Sequence, residues 1–220
     1  EGTKKKLTDF NISEVVERLN KRREYLHNLD SDSLIDFFEK LAQTYKKEKL
    51  DKKYNLKNVI DFFSKENLRE SLSVSLRGNY KVLDEFVDLK SNSYLFHAQP
   101  RGIIVQWLSG NVSILGLFSI FSAILTKNVC LVKASSRGYQ DLVSLLAVFN
   151  FIKTEKIDGK DLAKCIALVL VDRNDKKSQE ELSMSADIRI AWGGKEAMDT
   201  IINLKKRYYC EDIIFGPKYS

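Results

Sequence analysis

Proline is scarce in this chain, with two among 220 residues, and that excludes a Pro-rich linker or a Pro-rich unfolded segment. Cysteine is scarce too. Three cysteines, at 130, 165 and 210, together with ten glycines, exclude a disulfide scaffold and a collagen-like repeat. Cys130 and Cys165 sit in apolar runs, which predicts buried free thiols. Free thiols in turn place the chain in a reducing cytoplasm. No zinc-ligand spacing occurs, so no metal is expected. No Arg-rich stripe with interleaved aromatics occurs either, so no nucleic-acid partner is expected. Both Gly-x-Gly-x-x-Gly and the P-loop pattern are missing. The opening Glu-Gly-Thr-Lys-Lys-Lys has neither Met nor an apolar stretch. No signal peptide is read there, and the missing Met suggests that residues precede Glu1.

What is present is material for a core. Hydrophobic residues make up 44%, and a chain of this length buries roughly 70% of its unfolded surface. The net charge is +6 and the pI near 9.0. The excess gathers at Lys4–Lys6, Lys21–Arg23 and the 46–57 stretch with Lys46, Lys47, Lys49, Lys52, Lys53 and Lys57. Two readings stand: a patch for an anionic partner, or solvated helix faces. Gly102–Thr126 carries no charge and invites a test as a membrane span. Gln106, Ser109, Asn111, Ser113, Ser119 and Ser122 interrupt it, and Ser109-Gly110-Asn111 reads as a turn. The stretch is therefore split into a buried strand, a turn and a buried helix, with no membrane span.

Residues 1–90 read as a helical region. Ile12, Val15, Val16 and Leu19 recur at helical spacing behind Ser13 as N-cap. Leu34, Phe37, Phe38 and Leu41 repeat the pattern after an Asp30-Ser31-Asp32 cap cluster. Val59 to Phe63 begins another helix, and Leu68, Leu72 and Leu76 mark one that ends at Gly78. Val82, Leu83, Phe86 and Leu89 suggest one more. From 91 to 220 the texture changes. After a short strand at Tyr94–Ala98, apolar runs at 103–108, 129–132, 166–171, 188–192 and 213–215 alternate with helical segments at 112–125, 140–152, 178–184 and 195–204. The runs are continuous rather than alternating, as parallel strands covered on both faces require. The expectation is an α/β fold: a Rossmann-like, doubly wound parallel sheet of about five strands behind a helical N-terminal region.

Ligands in such sheets bind beyond the carboxyl ends of the strands. After the first run comes Ser109-Gly110-Asn111, where the Asn amide either caps a helix or donates to an oxyanion. After the second come Lys133, Ala134, Ser135, Ser136, Arg137 and Gly138. There the Lys133 ammonium either bonds ribose hydroxyls or a phosphate, or simply snorkels. After the fourth come Gly193-Gly194 and a helix start, either a backbone cradle for a pyrophosphate or an ordinary turn.

That order resembles the cofactor domain of the aldehyde dehydrogenase superfamily, from about Phe96 onward. Pro100-Arg101-Gly102-Ile103-Ile104 resembles the family's Pro-x-Gly-Val strand. Ser109-Gly110-Asn111-Val112-Ser113 sits where the family has Pro-Trp-Asn-Phe-Pro. Asn128 to Ser135 is similar to Asn-Thr-Val-Val-Leu-Lys-Pro-Ser, and Asp187 to Glu196 to Asp-x-x-x-Phe-Thr-Gly-Ser-x-Glu. Within the superfamily the wording is closest to the LuxC-type acyl-CoA reductases, above all in Trp107 to Val112, Trp192-Gly193-Gly194 and Tyr209 to Tyr219.

The resemblance implies NADPH-dependent reduction of a fatty acyl-CoA or acyl-carrier thioester to an aldehyde. It makes Asn111 the oxyanion donor and gives Lys133, Ser135, Ser136, Arg137, Gly193 and Gly194 to NADP(H). It also implies a homo-oligomer for the full-length enzyme. The family often has Glu three residues after the ribose Lys; Ser136 and Arg137 here favour NADP through charge pairing with its 2′-phosphate. The family's nucleophilic Cys follows a Gly-Gly-Lys motif that Gly216-Pro217-Lys218 resembles, so it falls beyond this chain. The chain alone is then expected to hold cofactor without turning over. The rival reading is a non-enzymatic α/β binding or scaffold module with a basic helical region.

Overall fold

The computed structural model describes residues 11–89, 94–108 and 113–216. Helices come first: α1 (Ile12–His27), α2 (Ser31–Lys47), α3 (Leu50–Lys53), α4 (Lys57–Phe62) and α5 (Lys65–Ser75). Two short strands, β1 (Val87–Asp88) and β2 (Leu95–Phe96), pair antiparallel. The alternating part follows: β3 (Ile103–Trp107), α6 (Ser113–Leu125), β4 (Val129–Lys133), α7 (Tyr139–Leu146), α8 (Gly159–Ala163) and β5 (Ile166–Val169). It closes with α9 (Lys176–Ser185), β6 (Ile188–Trp192), α10 (Lys195–Ile202) and β7 (Glu211–Phe215). The strands form one parallel sheet in the order β5-β4-β3-β6-β7. The chain winds outward from β3 to β5, then resumes on the other side of β3. This is the doubly wound α/β sheet expected, preceded by a helical region.

Some local expectations are corrected. The cap of α1 is Asn11, whose side chain accepts the Ser13 N–H at 2.9 Å. Val82 to Leu89 does not form a helix. Asn79 caps a 3-10 turn over Tyr80–Leu83, and Val87–Asp88 then pairs with Leu95–Phe96. A turn followed by a strand satisfies the same apolar spacing as a helix, and cross-strand pairing decides between them. The strand read at Tyr94–Ala98 is reduced to β2, and the helix read at 140–152 divides into α7 and a 3-10 turn at Ala147–Phe151.

The two parts share one hydrophobic cluster. α1 lies on β4 and β5 beside α9, while α6 covers β4 on the opposite face under α2 and α4. Phe38 of α2 lies 5.0 Å from Phe121 of α6 and 5.6 Å from Phe63. A buried ion pair anchors the helices at the amino edge of the sheet: Lys127, just before β4, meets Asp84 at 2.9 Å. The same Asp84 oxygen accepts the Ser31 N–H and hydroxyl at the start of α2. Near the other end of α2, the Tyr45 hydroxyl donates to the Leu145 carbonyl of α7. α2 therefore climbs from the amino edge toward the carboxyl edge. Gly102 opens β3 at φ +128, and a Cβ there would fall 2.2 Å from the Asp187 carboxylate that accepts the Ile103 N–H. Only glycine tolerates both conditions.

Arg189 is the second residue of β6, with a side chain of zero exposure. Its Nε and Nη2 donate to both oxygens of Asp212 on β7, each at 2.7 Å. Its Nη1 donates to the Ser183 hydroxyl of α9 and to the Ile201 and Leu204 carbonyls at the end of α10. Burial alone would raise the Asp212 carboxyl, but Arg189 and Lys206 override it and hold it below the usual range. Removing one partner of such a pair leaves a charge without compensation. Asp212→Ala is therefore expected to cost about 3 kcal/mol of unfolding free energy in urea at neutral pH. A depressed folded-state pKa adds stability that is complete above the unfolded value of about 3.9 and lost below it. The gap between variant and parent should therefore narrow under acid. A gap below about 1 kcal/mol at pH 7 would contradict the assignment.

Candidate functional site

The register brings the strand ends into one row. Trp107 lies opposite Lys133 on one side and Ala191 on the other; Lys133 lies opposite Val169, and Trp192 opposite Phe215. Everything that follows β4 and β6 therefore opens on the same carboxyl edge. The crevice of a doubly wound sheet falls where the chain leaves β3 in one direction and β6 in the other, between Trp107 and Gly193 here.

Lys133 is half-buried at that edge. Burial pushes its ammonium below the usual lysine range, against the pull of Asp172. The Ser135 hydroxyl accepts the Gly138 N–H at 3.1 Å and so caps the turn into α7. Its proton stays available for donation. Ser136 and Arg137 are exposed, and among the described residues Arg137 has no ion pair. Gly194 is the N-cap of α10 and supplies no side-chain bond, which leaves the first-turn N–H groups uncapped by a side chain. A Cβ on Gly194 would meet nothing within 4 Å, whereas one on Gly193 would come 3.1 Å from the Met198 methyl. Neither glycine has positive φ. The value of Gly194 is open space above a helix start, where an anion is favoured. Asn111, with Ser109, Gly110 and Val112, lies outside the described residues, as do Pro217 and Lys218.

Two features of this edge were not read in the sequence. The Trp107 indole N–H donates to Gln179 Oε1 at 2.8 Å, and the Gln179 amide donates to the Asp172 carbonyl at 3.0 Å. This chain ties the end of β3, through α9, to the loop after β5. No spacing signal announces it, because its members are far apart in sequence. The second is a stack: Trp192 lies on Phe215 with centroids 3.8 Å apart and rings 10° from parallel. Beside it runs a groove of about 510 Å³ between α6 and the β6–β7 half of the sheet. Phe118, Ile104, Ile190, Trp192, Ile213 and Phe215 line its apolar wall.

Other polar groups lie away from this edge. Glu211 opens β7 at the amino edge and pairs with Arg101 at 2.8 Å. Cys130, Cys165 and Cys210 are free and buried. Burial pushes the Cys130 thiol far up and the Cys165 thiol to about 11, so neither is a nucleophile. Among the described residues there is no cluster of three metal-ligating side chains and no helix long and apolar enough to cross a membrane.

The profile of the acyl-CoA reductase (LuxC) family matches residues 7–220. The chain belongs to the LuxC acyl-CoA reductase family. It is similar to a long-chain acyl-protein thioester reductase of Aliivibrio fischeri, 33% identical over 144 residues that cover 65% of this chain and 29% of that protein. The chain spans less than half the length of the curated relatives it matches. In fold it is similar to a probable aldehyde dehydrogenase from Listeria monocytogenes, with a TM-score of 0.61 at 11% identity over 94% of this chain and 46% of that one. It is likewise similar to an NADP-dependent glyceraldehyde-3-phosphate dehydrogenase from Bacillus halodurans complexed with NADP, with a TM-score of 0.61 at 12% identity over 92% and 44%. The LuxC-family chain thus has the aldehyde dehydrogenase fold.

Gln179→Leu would strand the Trp107 N–H inside the protein. The expected cost is about 1–3 kcal/mol of unfolding free energy, with a shift of tryptophan emission. Unchanged stability and emission would show that Trp107 finds another acceptor.

Proposed function

We propose that this chain is the NADPH-holding part of a reductase that converts a fatty acyl-CoA or acyl-protein thioester to an aldehyde. The observation that carries the reading is the shared carboxyl edge, where Lys133, Ser136, Arg137 and the Gly193-Gly194 helix start all open. In this reading Lys133 bonds ribose hydroxyls, and the partial burial of its ammonium supports the role. Arg137, free of any carboxylate partner among the described residues, is assigned in this reading to pair with a 2′-phosphate. Gly194 leaves room for a pyrophosphate to reach the N–H groups of α10. NADPH, when bound, supplies hydride to the acyl carbon.

The thiol that carries the acyl group lies outside this chain in our reading, since its own three cysteines are buried. That thiolate would attack the thioester carbonyl and expel the carrier thiolate. Hydride addition to the resulting enzyme thioester would then release aldehyde and restore the thiolate. Asn111, four residues past β3 in sequence, is assigned in this reading to donate to the oxyanion of both steps. The groove between α6 and the sheet follows β6 for about 13 Å at roughly 3.3 Å per residue, and its apolar wall suits a long acyl chain.

Titration of the chain with NADPH and NADH, followed by nucleotide fluorescence, tests the reading. NADPH should bind more tightly. Lys133→Ala should weaken NADPH about tenfold, the worth of one charge-assisted bond. Arg137→Ala should erase most of the preference for NADPH while leaving NADH nearly unaffected. No binding of either nucleotide at millimolar concentration, or affinities that neither substitution moves, would contradict it.

A further inference from the structure

Lysine accumulates at one corner of the molecule. Between residues 46 and 57 stand Lys46, Lys47, Lys49, Lys52, Lys53 and Lys57 against two carboxylates, Glu48 and Asp51. All six lysines are exposed, and among the described residues none makes an ion pair. Lys53 rests over the Tyr54 ring at 4.8 Å. Elsewhere Lys21, Lys65, Lys156, Lys164, Lys205 and Lys206 each reach a carboxylate, and the exposed lysines that reach none among the described residues, such as Lys160 and Lys195, do not gather six to a corner. Solvated helix faces of mixed charge commonly pair at three or four residues' separation. This corner does not.

Its place in the fold matters. α2 ends here after its climb to the carboxyl edge. Tyr54 and then Asp141 hold the Lys53 ammonium above its ordinary range, and Asp141 lies in the first turn of α7, the helix that follows Lys133–Gly138. Phe62 of α4 packs 5.1 Å from Phe118 of α6, the helix that follows β3. The lysines therefore rim the edge to which we assign the thioester.

The chemistry narrows the partner. None of the six lysines lines the described grooves, so these ammonium groups face outward on a corner rather than into a cleft for a small anion. Leu50 and Tyr54 are half-buried and Leu56 is buried, which leaves no apolar wedge for a lipid surface. Arginine, which grips phosphodiesters through two bonds at once, is absent from 46–57. Lysine point charges instead steer a partner that must arrive and leave. We infer that the Lys46–Lys57 corner is the docking surface for an acidic face of the acyl-carrying protein that delivers the thioester. This rests on the thioester-reductase reading.

The test titrates the chain against tetradecanoyl-loaded acyl carrier protein, a small acidic protein, by fluorescence anisotropy. Binding is expected to weaken about tenfold between roughly 50 and 200 mM salt. It should weaken by about tenfold or more in the triple variant Lys46→Glu, Lys49→Glu, Lys52→Glu, and persist in the matching triple Lys→Arg variant. NADPH affinity on the same preparations should be equal in parent and variants, which shows that the fold is intact. A parent that fails to bind NADPH would strike the function reading separately from the docking result. No binding of the carrier protein by the parent, or binding by the Glu variant within about twofold of the parent, overturns the docking surface. Tighter binding of phosphatidylglycerol vesicles or of duplex RNA than of the carrier protein overturns the choice of a protein partner.

Discussion

A guanidinium with no exposed surface sits in the fourth strand of the parallel sheet, and four elements are positioned by what it bonds. Burying a charge is costly unless it is paired and hydrogen-bonded. Arg189 meets that condition through Asp212 on β7, Ser183 on α9 and two carbonyls at the end of α10. Its partners lie on one side of the sheet. They fix how β7 closes the edge and how α10 leans. Because α10 begins at Gly194, the tilt of the whole helix, and so the aim of its N-terminal N–H groups, is set at its far end by Arg189.

The carboxyl edge is the other consequence of that construction. Parallel strands in register deliver their ends to one line, and the loops after β4 and β6 meet there although some sixty residues separate Lys133 from Gly193. The amino edge is closed differently, by the Lys127–Asp84 pair and the Gly102–Asp187 approach. One edge is closed by buried charge and tight backbone, while the other leaves a half-buried cation, an Arg137 with no ion pair among the described residues and an open glycine. That asymmetry is what the proposed division of labour uses. In the proposed reading, support at one edge lets the other hold the cofactor.

Much of this fold was legible in the sequence because the signals were local. Continuous apolar runs such as Val129–Val132 and Ile188–Trp192 announce doubly covered strands, and Asp30 announces the start of α2 by a capping side chain. Where the signal depends on partners distant in sequence, the reading failed. Val82 to Leu89 has helical spacing, but Leu95–Phe96 recruits Val87–Asp88 into a strand. Of the candidate site, Lys133, Ser135, Ser136, Arg137, Gly193 and Gly194 were nameable because motif order carries them. The Trp107–Gln179–Asp172 chain was not, since nothing in the spacing joins those three. Arg189 did leave a trace, a lone cation inside an apolar run with Asp212 twenty-three residues on, yet only packing shows the two to be partners. The lysine corner was visible as charge, but whether its charges were already paired was a question of three-dimensional structure.

The central claim is that nicotinamide cofactor binds at the carboxyl ends of β4 and β6. Hydrogen–deuterium exchange of the chain with and without saturating NADPH tests it most directly. The account predicts slowed exchange in the amides of 193–198 and 133–138, with the amino-edge segments 99–102 and 126–128 unchanged. Protection confined to the amino edge, or none anywhere at saturation, would contradict it.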